Sequence, residues 1–517
     1  MAVDVLLIQP PTGSYRRDDR CQSRVEDQTI QVHFPPMDLA YHAAVLEKAG
    51  FLCAIRDYST AGTPSSRALQ EIKEMKPRLV FFSSTQPTQA NDLAFAERIK
   101  ELDGDVKVIL RGESVTYQDE SILNGYPQVD FILRGESEET FVDLAKVLLG
   151  RESRAPGEIA GISYRWEGNV VRTPDRPFIR NLNDLPWPAR HLLDQELYRS
   201  PETGNKLTTL YTARGCPYPC IFCPAPLASG RPVRLRAVED LIAEIRHCID
   251  SFGIHEFLFH GDTFTYSKKW TLELCESIIR EGLKIRWGCN SRVDTIDREM
   301  LETMKRAGCW VIGFGVESGH EETLKRVRKA VHREQVVEAF RLCRNAGIRS
   351  HAFFVFGFPW EGPEHLEANL VLAREIDPDF FDFNIAYPLP GTELLSMVSR
   401  EGLLDPLKVD QGGYALPATR THHLSSEELD EWRRKALLSL YLRPRYVLRT
   451  LYRAGSPWKM WMYTKAGCRK LYQLLMARWS MKQKKRKSLK VSSRGNPVQD
   501  TSKPVLSTIS GKETIHR

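Results

Sequence analysis

Short apolar, β-rich runs at 3–8, 52–56, 79–82, 106–110 and 129–133 alternate with stretches at 39–48, 66–75, 90–102 and 138–149 whose apolar positions recur at helical spacing. Strands and helices in that order predict a parallel, doubly wound α/β sheet, a Rossmann-like domain over residues 1–150. Such sheets gather ligands beyond the carboxyl ends of their strands. The turns expected there are Gln9-Pro10-Pro11-Thr12-Gly13, Ser83-Ser84-Thr85, Arg111-Gly112-Glu113 and Arg134-Gly135-Glu136. They are small and polar, as a backbone that approaches a ligand requires.

Residues 151–205 read as a linker. A hairpin pattern at 161–172 has a Gly168-Asn169 turn, and the proline-rich stretch from Asn183 to Arg190 cannot sustain a helix. A second alternation follows over 206–400, with strands near 207–211, 256–260, 284–288, 310–316, 351–356 and 380–386. Ser267 and Asp297 suit helix N-caps, and Gly308 and Gly347 follow helix ends. Beyond it, Ser425 and Glu428 form a capping box that opens a helix with Leu429, Trp432, Ala436 and Leu440 on one face, within a helical cap over 401–480.

Composition adds a compartment and a possible partner. The 517 residues, 42% hydrophobic and 27% charged, are ordinary for a globular protein and exceed a single core. Eleven scattered cysteines argue against a disulfide framework and for a reducing, cytoplasmic setting. The first residues lack the pattern of a signal peptide, and no apolar run is long enough to span a bilayer. The net charge of +7 is uneven: residues 433–494 hold 19 Lys/Arg and no Asp/Glu, so the remainder is acidic. That segment mixes its cations with Trp, Tyr, Leu and Met, then runs through a polybasic stretch at 481–487 into a Ser/Thr/Pro-rich tail expected to be disordered. An anionic membrane surface suits it, peripheral to the inner face. A solvated cap is the plain alternative, and nucleic acid is disfavoured because no RNA-binding motif accompanies the charge.

The densest chemistry lies at Cys216-Pro-Tyr-Pro-Cys220-Ile-Phe222-Cys223, directly after the strand at 207–211. Three thiolates on one tight loop suit an iron–sulfur cluster. A cubane held by three cysteines leaves one iron open to an outside ligand, which suits substrate chemistry better than electron transfer. Zinc would need a further ligand pair, and none follows at short spacing; buried structural thiols are the other reading. Cys248, Cys275, Cys289, Cys309 and Cys343 lie in helix or strand patterns and read as core thiols, and His422-His423 as surface.

The loop resembles the signature of the radical S-adenosylmethionine (SAM) superfamily. That resemblance implies a partial (β/α)6 barrel, a [4Fe-4S] cluster on Cys216, Cys220 and Cys223, and SAM on the open iron. It further implies SAM contacts from Phe222, and from Asp262, Asn290, Arg292, Glu317 and Phe356 at successive strand ends. The guanidinium of Arg292 would suit the SAM carboxylate. With the first domain in front, and Val129-Asp-Phe-Ile-Leu-Arg-Gly135-Glu136 in its last strand, the chain resembles the cobalamin-binding branch. Cobalamin would then be bordered by Thr12, Ser83, Ser84, Thr85, Arg111, Gly112, Glu113, Gly135 and Glu136. Asp57-Tyr-Ser59-Thr-Ala-Gly62 matches the Asp-x-His-x-x-Gly motif with serine in place of histidine, and a hydroxyl is a poor cobalt ligand beside imidazole.

The resemblance implies an enzyme that methylates an unactivated carbon, with an external flavodoxin- or ferredoxin-type electron donor. Oxidative cyclisation, ring contraction or C–C coupling on a lipid or tetrapyrrole is the second reading, and a non-catalytic cobalamin or redox sensor the third. The substrate, a small or lipid-like molecule, has no motif that names it.

Overall fold

The computed structural model describes residues 3–17, 22–29, 31–405 and 413–455, together with 457, 460, 461, 463–465, 467–469, 471 and 472. The chain forms two compact units, one up to Tyr446 and one from Val447. The polybasic stretch at 481–487 lies outside the described residues.

The first sheet contains β1 (Val5–Gln9), β2 (Cys53–Asp57), β3 (Leu79–Ser83), β4 (Lys107–Arg111), β5 (Phe131–Leu133), β6 (Ile162–Trp166) and β7 (Asn169–Arg172). Their order is β2-β1-β3-β4-β5-β6-β7, with the first five parallel and the last two antiparallel. β1 and β3 are buried at every position, as central strands of a sheet covered on both faces must be. Edge strand β2 alternates buried with more exposed positions. Helices Met37–Lys48 and Glu138–Leu148 cover one face, packing on Leu7, Phe81 and Ile109. Helices Ser65–Met75 and Gln89–Leu102 cover the other, on Leu6, Ile8, Val80 and Phe82. The hairpin expected in the linker instead extends this sheet: Ile162, Ser163 and Tyr164 are buried along β5, and an antiparallel hairpin needs no crossover helix.

The second sheet is six parallel strands in sequence order: β8 (Leu207–Tyr211), β9 (Glu256–His260), β10 (Arg286–Ser291), β11 (Cys309–Glu317), β12 (Arg349–Phe356) and β13 (Phe380–Ile385). Ser267 and Asp297 cap their helices, accepting from the N–H groups of Trp270 and Met300, and Gly347 ends its helix in the left-handed conformation. β10 runs to Ser291, three residues past the expected end. Gly288 is not a terminator; it lets β10 lie against β11, where a Cβ would stand 2.6 Å from Val311 Cγ1. At the opposite end of the strands, Glu202 and Glu256 pair with Arg286, Glu202 also pairs with Arg349, and Arg286 stacks on Trp310 at 3.6 Å.

The strap between the sheets ties them together. Arg190, 1% exposed, donates to Thr209 O at 2.9 Å and pairs with the buried Glu244. Tyr198 OH reaches back to Asp57 at 3.0 Å, and the Ala189 N–H to Ala40 O at 2.9 Å. Ion pairs this deep fix geometry more than they add stability, because desolvation offsets much of their attraction.

Candidate active site

The cysteine loop is pinned at its entry. Gly215 has φ +99, and a Cβ there would collide with Pro232 O, so the left-handed turn requires glycine. The Gly215 N–H donates to Asp262 Oδ2 at 2.9 Å, and the Cys216 N–H to Gly230 O at 3.0 Å. Farther along, the Ile221 N–H donates to Val327 O and the Leu394 N–H to Ile221 O. Ile221 and Phe222 pack with Val327, Val355, Phe358, Ala386 and Leu394 in one apolar cluster. Cys216, Cys220 and Cys223 are each half-buried along this loop, with Cys220 Sγ 3.9 Å from Arg328 O.

Strand ends surround the loop unequally. Asn290 ends β10 beside Gly313, where a Cβ would lie 2.5 Å from Asn290 Oδ1 and 2.8 Å from the Phe353 ring. Glu317 ends β11 after a bulge, at φ +62, and accepts from Lys329 Nζ at 2.8 Å. A side chain on Gly315 would collide with this carboxylate and with Lys329 Nζ, so glycine lets the ion pair close against the strand. Burial alone would lower the Lys329 pKa, but Glu317 beside it raises it overall, keeping the ammonium charged. Arg292 is already committed: it grips Asp294 through two bonds of 2.9 and 2.8 Å, donates to Lys329 O at 2.8 Å and lies 3.7 Å over the Tyr218 ring. Its Nε and Nη2 are thus spent on its own chain. Phe356 is also reassigned. Its ring is fully buried, 5.0 Å from Phe383, on the opposite face of β12 from Val355, which packs with the cysteine loop.

Just past β12, Glu361 is completely buried and accepts from the N–H groups of Gly357 and Phe358 at 2.8 and 3.1 Å. Burial pushes its carboxyl up to about 7 despite these bonds.

The carboxyl edge of the first sheet faces this end of the barrel. Two adjoining cavities of about 50 and 70 Å³ share Asp38, Tyr211 and His260 as lining. Arg214, between β8 and the cysteines, pairs with Glu138 of the first sheet at 2.5 Å. Burial would raise Glu138, but Arg214 and His42 hold its carboxyl down at about 2. Ser83, Ser84 and Thr85 close β3 and Arg111, Gly112 and Glu113 close β4, two strands that end side by side, and of the six Arg111 lines a cavity. A Cβ on Gly112, at φ +145, would collide with Ser84 O. Much of the set is bonded internally. Ser84 Oγ donates to Asp92 at 2.8 Å, Thr85 Oγ1 lies 3.0 Å from Thr88 Oγ1, and Thr12 Oγ1 bonds to Pro10 O at 2.9 Å. Gly135 stands open at φ +66. Glu136 is gripped by Arg234 through two bonds of 2.7 Å and accepts from the Ile179 N–H, so it anchors the strap while it also lines the larger of the two cavities. Asp57-to-Gly62 leaves the edge strand β2, where Ser59 Oγ bonds to Gly13 O and Asp57 Oδ1 accepts from the Thr60 N–H at 2.8 Å.

Residues 210–373 match the radical SAM superfamily and residues 27–145 the B12 binding domain. An uncharacterised methyltransferase of Pyrococcus horikoshii is 31% identical over 87% of this chain and 94% of its own. The chain belongs to the B12-binding radical SAM family. An anaerobic magnesium-protoporphyrin IX monomethyl ester cyclase of Rubrivivax gelatinosus is 28% identical over 71% of this chain and 66% of its own. The fold matches that of a radical SAM methyltransferase of Kitasatospora setae, solved with cobalamin and a [4Fe-4S] cluster (TM-score 0.66, 19% identity, 86% of this chain and 90% of that one). As a B12-binding radical SAM protein the chain is an enzyme, and its cofactors are a [4Fe-4S] cluster, SAM and cobalamin.

The residues present fit this family's cofactors. Among the described residues, no three His, Cys, Asp or Glu side chains converge as a single ion would need. A cubane takes each thiolate on a different iron, so three thiols spread along one loop suit it. Glycines 313 and 315 let Asn290 and the Glu317–Lys329 pair lie directly against the β11 backbone at the barrel end. On the first sheet, Gln86 Oε1 and Glu138 Oε2 are buried acceptors without hydrogen-bond partners, which an amide-rich ligand could satisfy. Sequence reasoning missed Lys329, Asp294, Tyr218 and Glu361, and on the first sheet the buried Arg17–Asp92 pair, joined at 2.8 and 2.9 Å.

Proposed function

We propose that this family member is a cobalamin-dependent methyltransferase acting on an unactivated carbon. The observation that carries the reading is the junction itself: the carboxyl edges of both sheets meet at the cavities shared by Asp38, Tyr211 and His260, beside the cysteine loop. At this junction the cluster and SAM would supply a 5′-deoxyadenosyl radical, and cobalamin a transferable methyl group. Cys216, Cys220 and Cys223 hold the cluster, and Asp262 fixes the loop that carries them. Phe222, Asn290 and the Glu317–Lys329 pair would border SAM, with Lys329 as a buried cation suited to its carboxylate. Arg292 holds Lys329 in place through its carbonyl. Ser83, Ser84, Thr85, Arg111, Gly112 and Glu113 border cobalamin, and the apolar cluster around Phe358 excludes water.

Anaerobic reconstitution with iron, sulfide and cobalamin, followed by dithionite and SAM, tests this. The expected products are 5′-deoxyadenosine, absent from Cys220→Ala, and S-adenosylhomocysteine from recharging the methyl donor. Deoxyadenosine without S-adenosylhomocysteine would favour cyclisation, the reading that the cyclase relative supports. Neither product, with a full cluster and bound cobalamin, would favour a sensor.

The reductant is a one-electron donor of flavodoxin or ferredoxin type. Among the described residues no helix is long and apolar enough to cross a membrane. A surface contact is still supported by helix Pro444–Ala454, which exposes Val447, Leu448 and Tyr452 beside Arg445 and Arg453. Flotation with anionic but not zwitterionic vesicles is expected; equal flotation with both, or none, removes the contact.

A further inference from the structure

We propose that the surface over the cysteine loop is the docking face for an acidic one-electron donor protein, an inference that rests on the radical reading above. Three stretches of chain without Asp or Glu meet at that loop: 176–183, 212–238 and 323–333. Their contacts are direct. A Cβ on Gly230 would lie 2.9 Å from the Phe178 ring, and Gly230 O accepts from the Cys216 N–H at 3.0 Å. Val327 O accepts from the Ile221 N–H at 3.3 Å, and Arg328 O lies 3.9 Å from Cys220 Sγ.

Several of the cations brought here are spent on carboxylates of this chain: Arg214 on Glu138, Arg234 on Glu136, Lys329 on Glu317 and Arg328 on Glu393. Arg180, Arg231, Lys325 and Arg326 are different. Each is exposed, and among the described residues none of them forms an ion pair. Lys325 and Arg326 close the helix Glu321–Arg326, whose carbonyl end favours cations and whose acids, Glu321 and Glu322, stand at its start. Arg180 and Arg231 lie on loops, where no helix end accounts for them. The chain apart from 433–494 is acidic, so an acidic partner is repelled by most of the body and drawn to this face. Uncharged surface accompanies the four cations: Phe178 is 38% exposed, and Pro219 of the cysteine loop is exposed. A basic rim with a small apolar part suits the brief, small contacts of redox partners. The half-buried thiols beneath it leave the electron a short path. On docking, the donor is oxidised by one electron, the cluster is reduced by one, and no atom crosses the interface.

The test uses the full chain with its cluster reconstituted and an acidic flavodoxin as the probe. Stopped-flow absorbance of the cluster should show reduction by reduced flavodoxin slowed about tenfold or more in Arg231→Glu/Lys325→Glu at low salt. Reduction by dithionite, which needs no docked protein, should be little changed. In the unaltered chain the flavodoxin rate should fall as salt rises. Carbodiimide, which joins a carboxylate to an amine, should couple oxidised flavodoxin to Lys325. Equal flavodoxin rates in the two proteins, a rate indifferent to salt, or cross-links that avoid Lys325 would each overturn the assignment. So would a variant slowed equally with both reductants. The salt and cross-link arms need no variant, so misfolding of the double substitution does not shelter the proposal. A cluster that flavodoxin reduces but that yields no deoxyadenosine from SAM would sink the radical reading and leave the docking face standing, which separates the two failures.

Discussion

The carboxyl edge of the first sheet carries its polar side chains in closed sets, whereas the edge of the barrel carries them around glycines. On the first sheet, Asp92 is completely buried and takes two bonds from Arg17 and one each from Ser84 and Thr88. On the barrel, Gly313 and Gly315 let Asn290 and the Glu317–Lys329 pair close against the strand backbone. A closed set makes a rigid platform that a large ligand meets through shape and backbone. A set drawn in against glycine places one ion pair at the strand end, where a small charged ligand can compete for it. One junction thus combines a platform with a grip, which suits a macrocycle facing a small charged cofactor.

The largest expected effect lies on the grip side: Cys216→Ala or Cys223→Ala should abolish deoxyadenosine formation and leave far-UV dichroism intact. Next come two variants that each leave a buried charge unpaired, at a cost of about 3–5 kcal/mol on unfolding. Arg17→Met strands Asp92, and adding Asp92→Leu should restore much of the loss. Its effect should be confined to denaturation midpoint and cobalamin retention, with the KM for SAM unchanged. Lys329→Met strands Glu317 and should raise the KM for SAM as well. If Arg17→Met raised that KM equally, the division between platform and grip would fail.

Glu361 gives a smaller effect with a sign. Its carboxyl titrates near 7 in the folded chain against an ordinary value near 4.5, so the folded state holds the extra proton between them. Stability from this group is therefore full below about pH 4.5 and falls as pH rises through 7. Glu361→Gln keeps an acceptor for the Gly357 and Phe358 N–H groups without the charge. It should flatten the pH dependence of the unfolding free energy between pH 5 and 8 by about 1–3 kcal/mol. A variant with the wild-type slope would show that the carboxyl is ionised throughout.

These residues also mark where the sequence could be read and where it could not. Continuous apolar runs such as 79–82 announced the buried strands, and the cysteine spacing announced the loop, because both signals are local. Lys329 follows Glu317 by twelve positions in what reads as a surface basic run. It turns inward only because Arg328 and Ala330 adopt φ +57 and +52, a conformation without a side-chain signature. Arg17 reads like any loop arginine until Asp92 is brought to it by the sheet. Serine at position 59 announced a missing imidazole, but only the fold shows its hydroxyl turned onto Gly13 O.

Phe356 makes the smallest and most local test. In Ala352-Phe353-Phe354-Val355-Phe356 apolar residues occupy both faces, so alternation shows which residues share a face without showing which face looks inward. Phe354 and Phe356 both lie 5.0 Å from Phe383, and Val355 lies with Ile221 and Phe358. Phe356→Leu should therefore cost about 1 kcal/mol of stability, the price of a near-isosteric core change, and leave the KM for SAM untouched. Phe358→Leu touches the ring of Phe222 at 5.6 Å and should raise that KM even if its stability cost is similar. The reverse pattern would mean that β12 presents its other face to the cofactor, and the boundary between core and grip would have to move by one residue.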